Sequence, residues 1–90
     1  VIYWYFGQEG SLYDQTLSFA NTIAAATGHP LDADYQALDP AGYKDWAIMS
    51  QGIPSLTIEV GTGDTPVSPD QFETIWEENQ FVWEEMLKTL

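Results

Sequence analysis

One ten-residue segment, Gly52-Ile-Pro-Ser-Leu-Thr-Ile-Glu-Val-Gly61, constrains the fold of this chain more than any other stretch. Its β-branched and apolar residues predict a short strand over Ser55–Val60, which delivers one carboxylate, Glu59, and then stops at a glycine. In open α/β sheets, ligands bind outside the carboxyl ends of the strands. Glu59 is therefore the first candidate for a catalytic carboxylate. A solvated glutamate on an edge strand fits the same position equally well.

The rest of the chain alternates between strand and helix signals. The predicted elements are a strand over Val1–Phe6, a helix over 12–27 between Ser11 as cap and Gly28, a loop over 28–42, a helix over Tyr43–Gln51, and a last helix from Ser68 to the end. This β-α-loop-α-β-α order predicts parallel strands in an α/β layered architecture. Two strands are too few for a stable parallel sheet, which normally has both faces covered by other elements. We therefore expect either further strands from sequence that is missing here or association between chains.

The last helix gives the strongest helical signal, because its apolar residues recur at intervals of three and four. The positions on this stripe are Phe72, Ile75, Trp76, Asn79, Val82, Trp83, Met86, Leu87 and Leu90, and all but Asn79 are apolar. Asn79 interrupts this stripe, and we predict a buried hydrogen-bonding side chain with a structural role. Several glutamates occupy the opposite face, which we expect to be solvated.

The charge balance excludes some classes of partner. Fourteen acidic residues face only two basic ones, Lys44 and Lys88, so the formal net charge is −12. Nucleic acid is excluded as a partner, because phosphate binding needs clustered Lys and Arg, and anionic membrane surfaces are disfavoured for the same reason. No apolar run approaches the roughly 20 residues of a membrane helix, and the absence of cysteine leaves no disulfide or thiolate metal site.

Few other residues indicate chemistry. His29 is the single histidine, and its position between Gly28 and Pro30 predicts a solvated loop residue. A catalytic zinc site needs three protein ligands, which this chain does not supply by its histidines. Lys44, beside Tyr43, Asp45 and Trp46, either holds a carboxylate of a ligand or makes an ordinary surface ion pair.

Three motifs together resemble the C-terminal part of the zinc carboxypeptidases of the carboxypeptidase A type. They are Tyr43-Lys-Asp-Trp46, Gly52-Ile-Pro54 and Thr57-Ile-Glu-Val-Gly61, with Trp46 thirteen residues before Glu59. The likeness is greatest to the bacterial branch that includes γ-D-glutamyl-diaminopimelate peptidases. Val1–Phe6 resembles the strand that follows the third zinc ligand of that family.

The resemblance implies a role for several residues. Glu59 would polarise a zinc-bound water and pass its proton to the leaving amine. Lys44 would favour an anionic group on the terminal residue of a peptide substrate, and Tyr35 would close over that substrate. The family's zinc ligands correspond to positions upstream of Val1, so we expect zinc in the full-length enzyme, and neither zinc binding nor hydrolysis by these ninety residues alone.

The resemblance also sets the expected fold. Residues 1–90 would form a single partial domain, the C-terminal portion of a three-layer α/β/α fold with parallel strands. An incomplete sheet exposes strand edges, and we expect self-association through them. The competing hypothesis is a non-catalytic binding or interaction module that keeps part of this fold. Nothing in the sequence indicates a compartment.

Overall fold

A computed structural model describes residues 1–33 and 42–89 of the chain. The elements are β1 (Ile2–Tyr3), α1 (Gly10–Thr27), β2 (Leu31–Asp32), α2 (Tyr43–Gln51), β3 (Thr57–Ile58), a 3₁₀ turn (Pro69–Gln71), α3 (Phe72–Asn79) and α4 (Val82–Lys88). The described chain is therefore mostly helical, with a small sheet. Within these ranges no helix combines the length and apolar character needed to cross a membrane.

The sheet is mixed, so the predicted three-layer α/β/α fold with parallel strands is wrong. The strand order is β2-β1-β3, and β1 is parallel to β2 but antiparallel to β3. Val1 and Glu59 show the antiparallel pairing directly, since each backbone nitrogen donates to the other residue's carbonyl oxygen at 2.9 Å. The prediction paired the first and last strand signals with each other. The parallel partner of β1 is β2, whose two residues lie inside the predicted loop over 28–42.

Helix α1 covers one face of this sheet. It connects the parallel strands β1 and β2, and its buried residues are Thr16, Ala20, Ile23 and Thr27. The core cluster joins Ala20 and Ile23 to Ile2 and Trp4, with half-buried side chains of β2, β3 and α4 around it. Burial of apolar surface between α1 and the sheet therefore stabilises the fold.

The opposite face of the sheet is more open. Side chains alternate along a strand, so residues next to the buried Ile2 and the half-buried Ile58 point away from α1. They are Val1, Tyr3, Thr57 and Glu59, and Asp32 joins them through its pairing with Tyr3. Asp32, Thr57 and Glu59 are exposed. We call these five residues the open sheet face.

The helix boundaries confirm part of the sequence prediction. Helix α2 has the predicted bounds, and α1 ends before Gly28 as expected. Helix α1 begins at Gly10 with Glu9 as its N-cap, so Ser11 is not the cap. Ser68 does cap the 3₁₀ turn, because its side chain accepts a hydrogen bond from the Asp70 nitrogen at 3.3 Å.

The predicted last helix is divided into α3 and α4. The break lies at Gln80 and Phe81, without proline or glycine. Side-chain amides bond carbonyls of the last turn of α3: Asn79 Nδ2 donates to Ile75 at 2.8 Å, and Gln80 Nε2 donates to Glu77 at 3.4 Å. Such side-chain bonds compete with continuation of a helix.

Candidate functional site

Glu59 lies in a groove at one end of the sheet. The residue directly follows β3, and its backbone is held by the two hydrogen bonds to Val1. The groove has a volume of about 430 Å³ and is lined by Val1, His29, Pro30, Glu59, Gly61, Thr62, Asp70, Gln71, Thr74, Ile75 and Glu78. Helix α3, the 3₁₀ turn and the segments after α1 and β3 therefore all contribute to its walls.

The loop after β3 is fixed to the start of α3 by one glutamine. Gln71 Oε1 accepts from the Thr62 nitrogen at 2.9 Å, and Gln71 Nε2 donates to the Thr62 carbonyl at 2.8 Å. Gly61 lets the same loop pack tightly against Val67, since a Cβ at position 61 would lie 2.8 Å from Cγ2 of Val67. Its φ of +86° also lies in the left-handed region that favours glycine. The wall beside Glu59 is thus built by specific contacts.

His29 forms another part of the wall, and it is not the solvated loop residue that the sequence predicted. Its side chain is only 10% exposed, and its Nε2 lies 3.0 Å from Oδ1 of Asn79. Asn79 Nδ2 already donates to Ile75, so Asn79 Oδ1 is the acceptor and His29 Nε2 the donor. This pair confirms the predicted hydrogen-bonding role of Asn79. His29 Nδ1 lies 4.0 Å from the Glu78 carboxylate.

The groove carries negative charge. Its lining includes the carboxylates of Glu59, Asp70 and Glu78, and no Lys or Arg side chain is among the described residues that line it. The Glu59 carboxylate has no hydrogen-bond partner among the residues the structure describes, and the residue is exposed. Glu59 is therefore free to accept a proton or a hydrogen bond from a molecule in the groove.

No metal site accompanies Glu59 in the described part of the chain. Within residues 1–33 and 42–89, no group of three or more His, Asp or Glu side chains is arranged to hold a metal ion. The Nε2 atom of His29 already forms a hydrogen bond with Asn79. The described residues therefore do not fit a zinc ion by themselves.

Lys44 occupies a second cavity, of about 240 Å³, lined by Tyr3, Tyr5, Phe6, Asp32, Lys44, Asp45 and Thr57. Its side chain is 10% exposed, and Nζ donates to the Tyr5 carbonyl at 3.1 Å and to Oδ1 of Asp45 at 2.5 Å. The ammonium also lies 5.5 Å from the centroid of the Phe6 ring. Lys44 is thus a buried, paired cation that ties α2 to the segment after β1.

The two cavities lie along the same strand. Thr57 lines the cavity of Lys44 and Glu59 lines the groove, and both belong to the open sheet face. Residues i and i+2 of a strand are separated by roughly 7 Å along its axis. The fold therefore brings the environments of Glu59 and Lys44 next to each other. Tyr35, the third predicted site residue, lies outside the described residues.

A larger cavity lies apart from both residues. Its volume is about 670 Å³, and its lining consists of Asp14, Gln15, Ser18, Phe19, Ile53, Pro54, Met86 and Thr89. Sequence reasoning did not predict it, because α1, α4 and the segment after α2 meet there only in the folded chain. It contains no group that the resemblance connects with hydrolysis.

Comparison with known proteins gives one informative similarity. No family model matches the chain, and no solved structure matches it. A curated protein that does match is gamma-D-glutamyl-L-diamino acid endopeptidase 1 of Lysinibacillus sphaericus, which is 34% identical over 79 residues. The match covers 87% of this chain but 19% of that protein, so the chain spans about a fifth of its relative's length. A distant, partial relative of the chain is therefore a peptidase.

Proposed function

We propose that this chain is the C-terminal part of a zinc metallocarboxypeptidase that hydrolyses peptide bonds, with cell-wall peptides as substrates and Glu59 as general base. The observation that carries the proposal is the similarity of 87% of the chain to an endopeptidase whose name specifies a γ-D-glutamyl-L-diamino acid bond. The position of Glu59 at a strand end, facing a groove, supports the choice of base.

The environment of Glu59 suits proton transfer. The carboxylate lines a groove that has room for water and part of a peptide. No described residue donates a hydrogen bond to the carboxylate oxygens. In the proposed reaction, Glu59 removes a proton from the attacking water as the water oxygen bonds to the scissile carbonyl carbon. The same proton passes to the departing amine nitrogen as the C–N bond breaks, so Glu59 is ionised again at the end.

We place the zinc ligands of the proposed enzyme outside the described residues, because those residues do not form a metal site. Zinc bound there would act as a Lewis acid on the substrate carbonyl. The role assigned to Glu59 rests on its own carboxylate and on the groove beside it.

Lys44 is proposed to recognise an anionic group of the substrate, and Tyr35 to close over the bound peptide. The Lys44 ammonium already donates hydrogen bonds to the Tyr5 carbonyl and to the Asp45 carboxylate. Asp32 adds a second carboxylate to the same cavity. A substrate carboxylate would therefore have to use the remaining N–H or displace Asp45. The selectivity contributed by Lys44 is expected to be modest for this reason.

The decisive experiment replaces Glu59 by Gln in the full-length enzyme proposed here. We expect kcat for a γ-D-glutamyl-L-diamino acid peptide to fall by about 10³-fold, because general-base catalysis contributes roughly 10²- to 10⁴-fold. Zinc content, measured by elemental analysis, should not change. Glu73→Gln is the matched control, since Glu73 is exposed on α3 and does not line the groove.

Two results would contradict the proposal. Full turnover by Glu59→Gln would remove Glu59 as the base, and a longer protein with neither zinc nor peptidase activity would favour the non-catalytic binding module. For Lys44, the measurement is the ratio of kcat/KM for a substrate with a terminal carboxylate to that for its amide. An unchanged ratio in Lys44→Ala would exclude Lys44 from substrate recognition.

A further inference from the structure

The outer face of helix α2 carries an unusual concentration of exposed apolar side chains. Tyr43, Trp46 and Met49 recur every third residue, and Ile53 follows just beyond the helix end. Their exposed fractions lie between 51% and 78%. On an α-helix, positions 43, 46 and 49 span an arc of about 120°, opposite the buried Lys44, Ala47 and Ile48. We call these four exposed side chains the α2 stripe.

A second set of exposed apolar side chains, the α3–α4 stripe, lies on the last two helices. It consists of Phe72, Trp76, Trp83 and Leu87, with exposed fractions between 58% and 70%. Exposed glutamates are interspersed with it, at positions 73, 77 and 84. Burial of this stripe against a partner would also require removing water from those carboxylates, which is costly unless each is paired.

The α2 stripe lacks this obstacle. The ionised residues of α2 are Lys44 and Asp45, which pair with each other and are largely buried. The exposed polar residues of the helix, Ser50 and Gln51, carry no charge. The centres of the Tyr43 and Trp46 rings lie 5.5 Å apart, so the two aromatic side chains form one continuous patch. Interface cores are depleted of charged residues and enriched in aromatic residues and Met.

We infer that the α2 stripe is the contact surface for the zinc-binding part of the same peptidase, an inference that rests on the proposed function. The peptidase relative is about five times as long as the stretch matched here, so most of such a protein lies outside this chain. A second copy of the chain is a poor occupant of this stripe, because each copy carries a net charge of −12 and the stripe offers no charged groups to pair across the contact. The self-association expected from the sequence would use backbone groups at the strand edges and not α2.

The test measures thiol accessibility in the proposed full-length peptidase, in a cysteine-free background. Met49→Cys reports on the α2 stripe, and Leu87→Cys on the α3–α4 stripe is the matched control. The two native side chains are 58% and 63% exposed in this chain. We expect a maleimide to label Met49→Cys at least about 30-fold more slowly in the native protein than in denaturant, and Leu87→Cys within about threefold of its denatured rate.

Other outcomes would overturn the inference. Equal labelling at the two positions, whether both are fast or both protected, would show that the uncharged stripe is not preferentially covered. Protection of Met49→Cys that is lost on dilution would identify a second copy as the occupant. A natural protein without a zinc-binding part would remove the proposed partner altogether.

The accessibility test is independent of catalysis. Protection at position 49 in a protein that cleaves no peptide would contradict the proposed function but retain the contact surface. Hydrolysis by a protein in which this position stays fully reactive would contradict only the contact surface. Met49→Glu and Leu87→Glu provide a second measurement, since each adds one carboxylate to an exposed site. We expect only Met49→Glu to lower the melting temperature of the longer protein clearly, by about 5 °C or more.

Discussion

The surroundings of Glu59 and Lys44 differ sharply, although both open onto one face of a small sheet. Glu59 is exposed, and no described residue bonds its carboxylate. Lys44 is almost buried, and its ammonium contacts a carbonyl, a carboxylate and an aromatic ring. A charge already paired within the fold contributes mainly to stability, whereas an unpaired charge beside a groove is available to a ligand. The two residues should therefore respond to substitution in opposite ways.

The largest expected effect on stability follows removal of the Lys44 charge. Lys44→Met keeps the apolar length of the side chain but leaves Asp45, which is 12% exposed, without its cation. We expect a loss of about 3 kcal/mol in the free energy of unfolding, because breaking a buried pair leaves an uncompensated charge. Urea denaturation followed by tryptophan fluorescence measures this loss.

Lys88→Met is the control for Lys44→Met. Lys88 also pairs with a carboxylate, Glu85, at 2.9 Å, but its side chain is 67% exposed. We expect no measurable change in stability, since exposed ion pairs contribute little. Equal effects of the two substitutions would refute the assignment of Lys44 to the interior of the fold.

The next effect tests how tightly the wall beside Glu59 is built. A methyl group at position 61 would lie 2.8 Å from Val67, whereas one at position 63 meets nothing within 4 Å. Both glycines have a left-handed φ, +86° and +82°. Gly63→Ala should therefore lower the free energy of unfolding by only about 1 kcal/mol, the cost of a left-handed backbone for alanine. Gly61→Ala should cost about 1 kcal/mol more, because Val67 must also move. Denaturation midpoints that agree within error would show that the contact with Val67 is not tight.

A smaller loss is expected when His29 loses its partner. Asn79→Ala removes the acceptor of the bond from His29 Nε2 and the side-chain bond to Ile75. We expect a cost of about 1 to 2 kcal/mol, because a largely buried donor is left unsatisfied. Gln80→Ala removes only a longer, exposed bond to Glu77 and serves as the control. A cost no larger than that of the control would mean that the His29–Asn79 bond adds nothing.

Local signals predicted α2 and the end of α1, but not the break between α3 and α4. Spacing of apolar residues, together with glycine after each helix, gave α2 its observed bounds and α1 its correct end. Such local signals did not predict which strands pair, because strand pairing depends on contacts between distant segments. β2 has only two residues, which pair with Ile2 and Tyr3 about thirty positions earlier in the chain.

The site was predictable only in part. The sequence singled out Glu59, and the structure places that residue in a groove. The same reasoning treated His29 as solvated, since nothing local indicates that Asn79, fifty residues away, would bond to it. The apolar stripe of the last helix predicted the buried side correctly at Val82 and Met86, but Trp76 and Trp83 stay exposed. Periodicity identifies an apolar side but not how much of it a partner covers.

The smallest effect belongs to Glu59 itself. Glu59→Gln should leave the free energy of unfolding unchanged within about 0.5 kcal/mol, as for surface substitutions away from special features. The substitution keeps the size of the side chain, and no described contact depends on its charge. If it instead cost as much as Lys44→Met, Glu59 would belong to the structural framework, and its availability as a base would be refuted. An unchanged stability together with a large loss of turnover would show that Glu59 serves the reaction and not the fold.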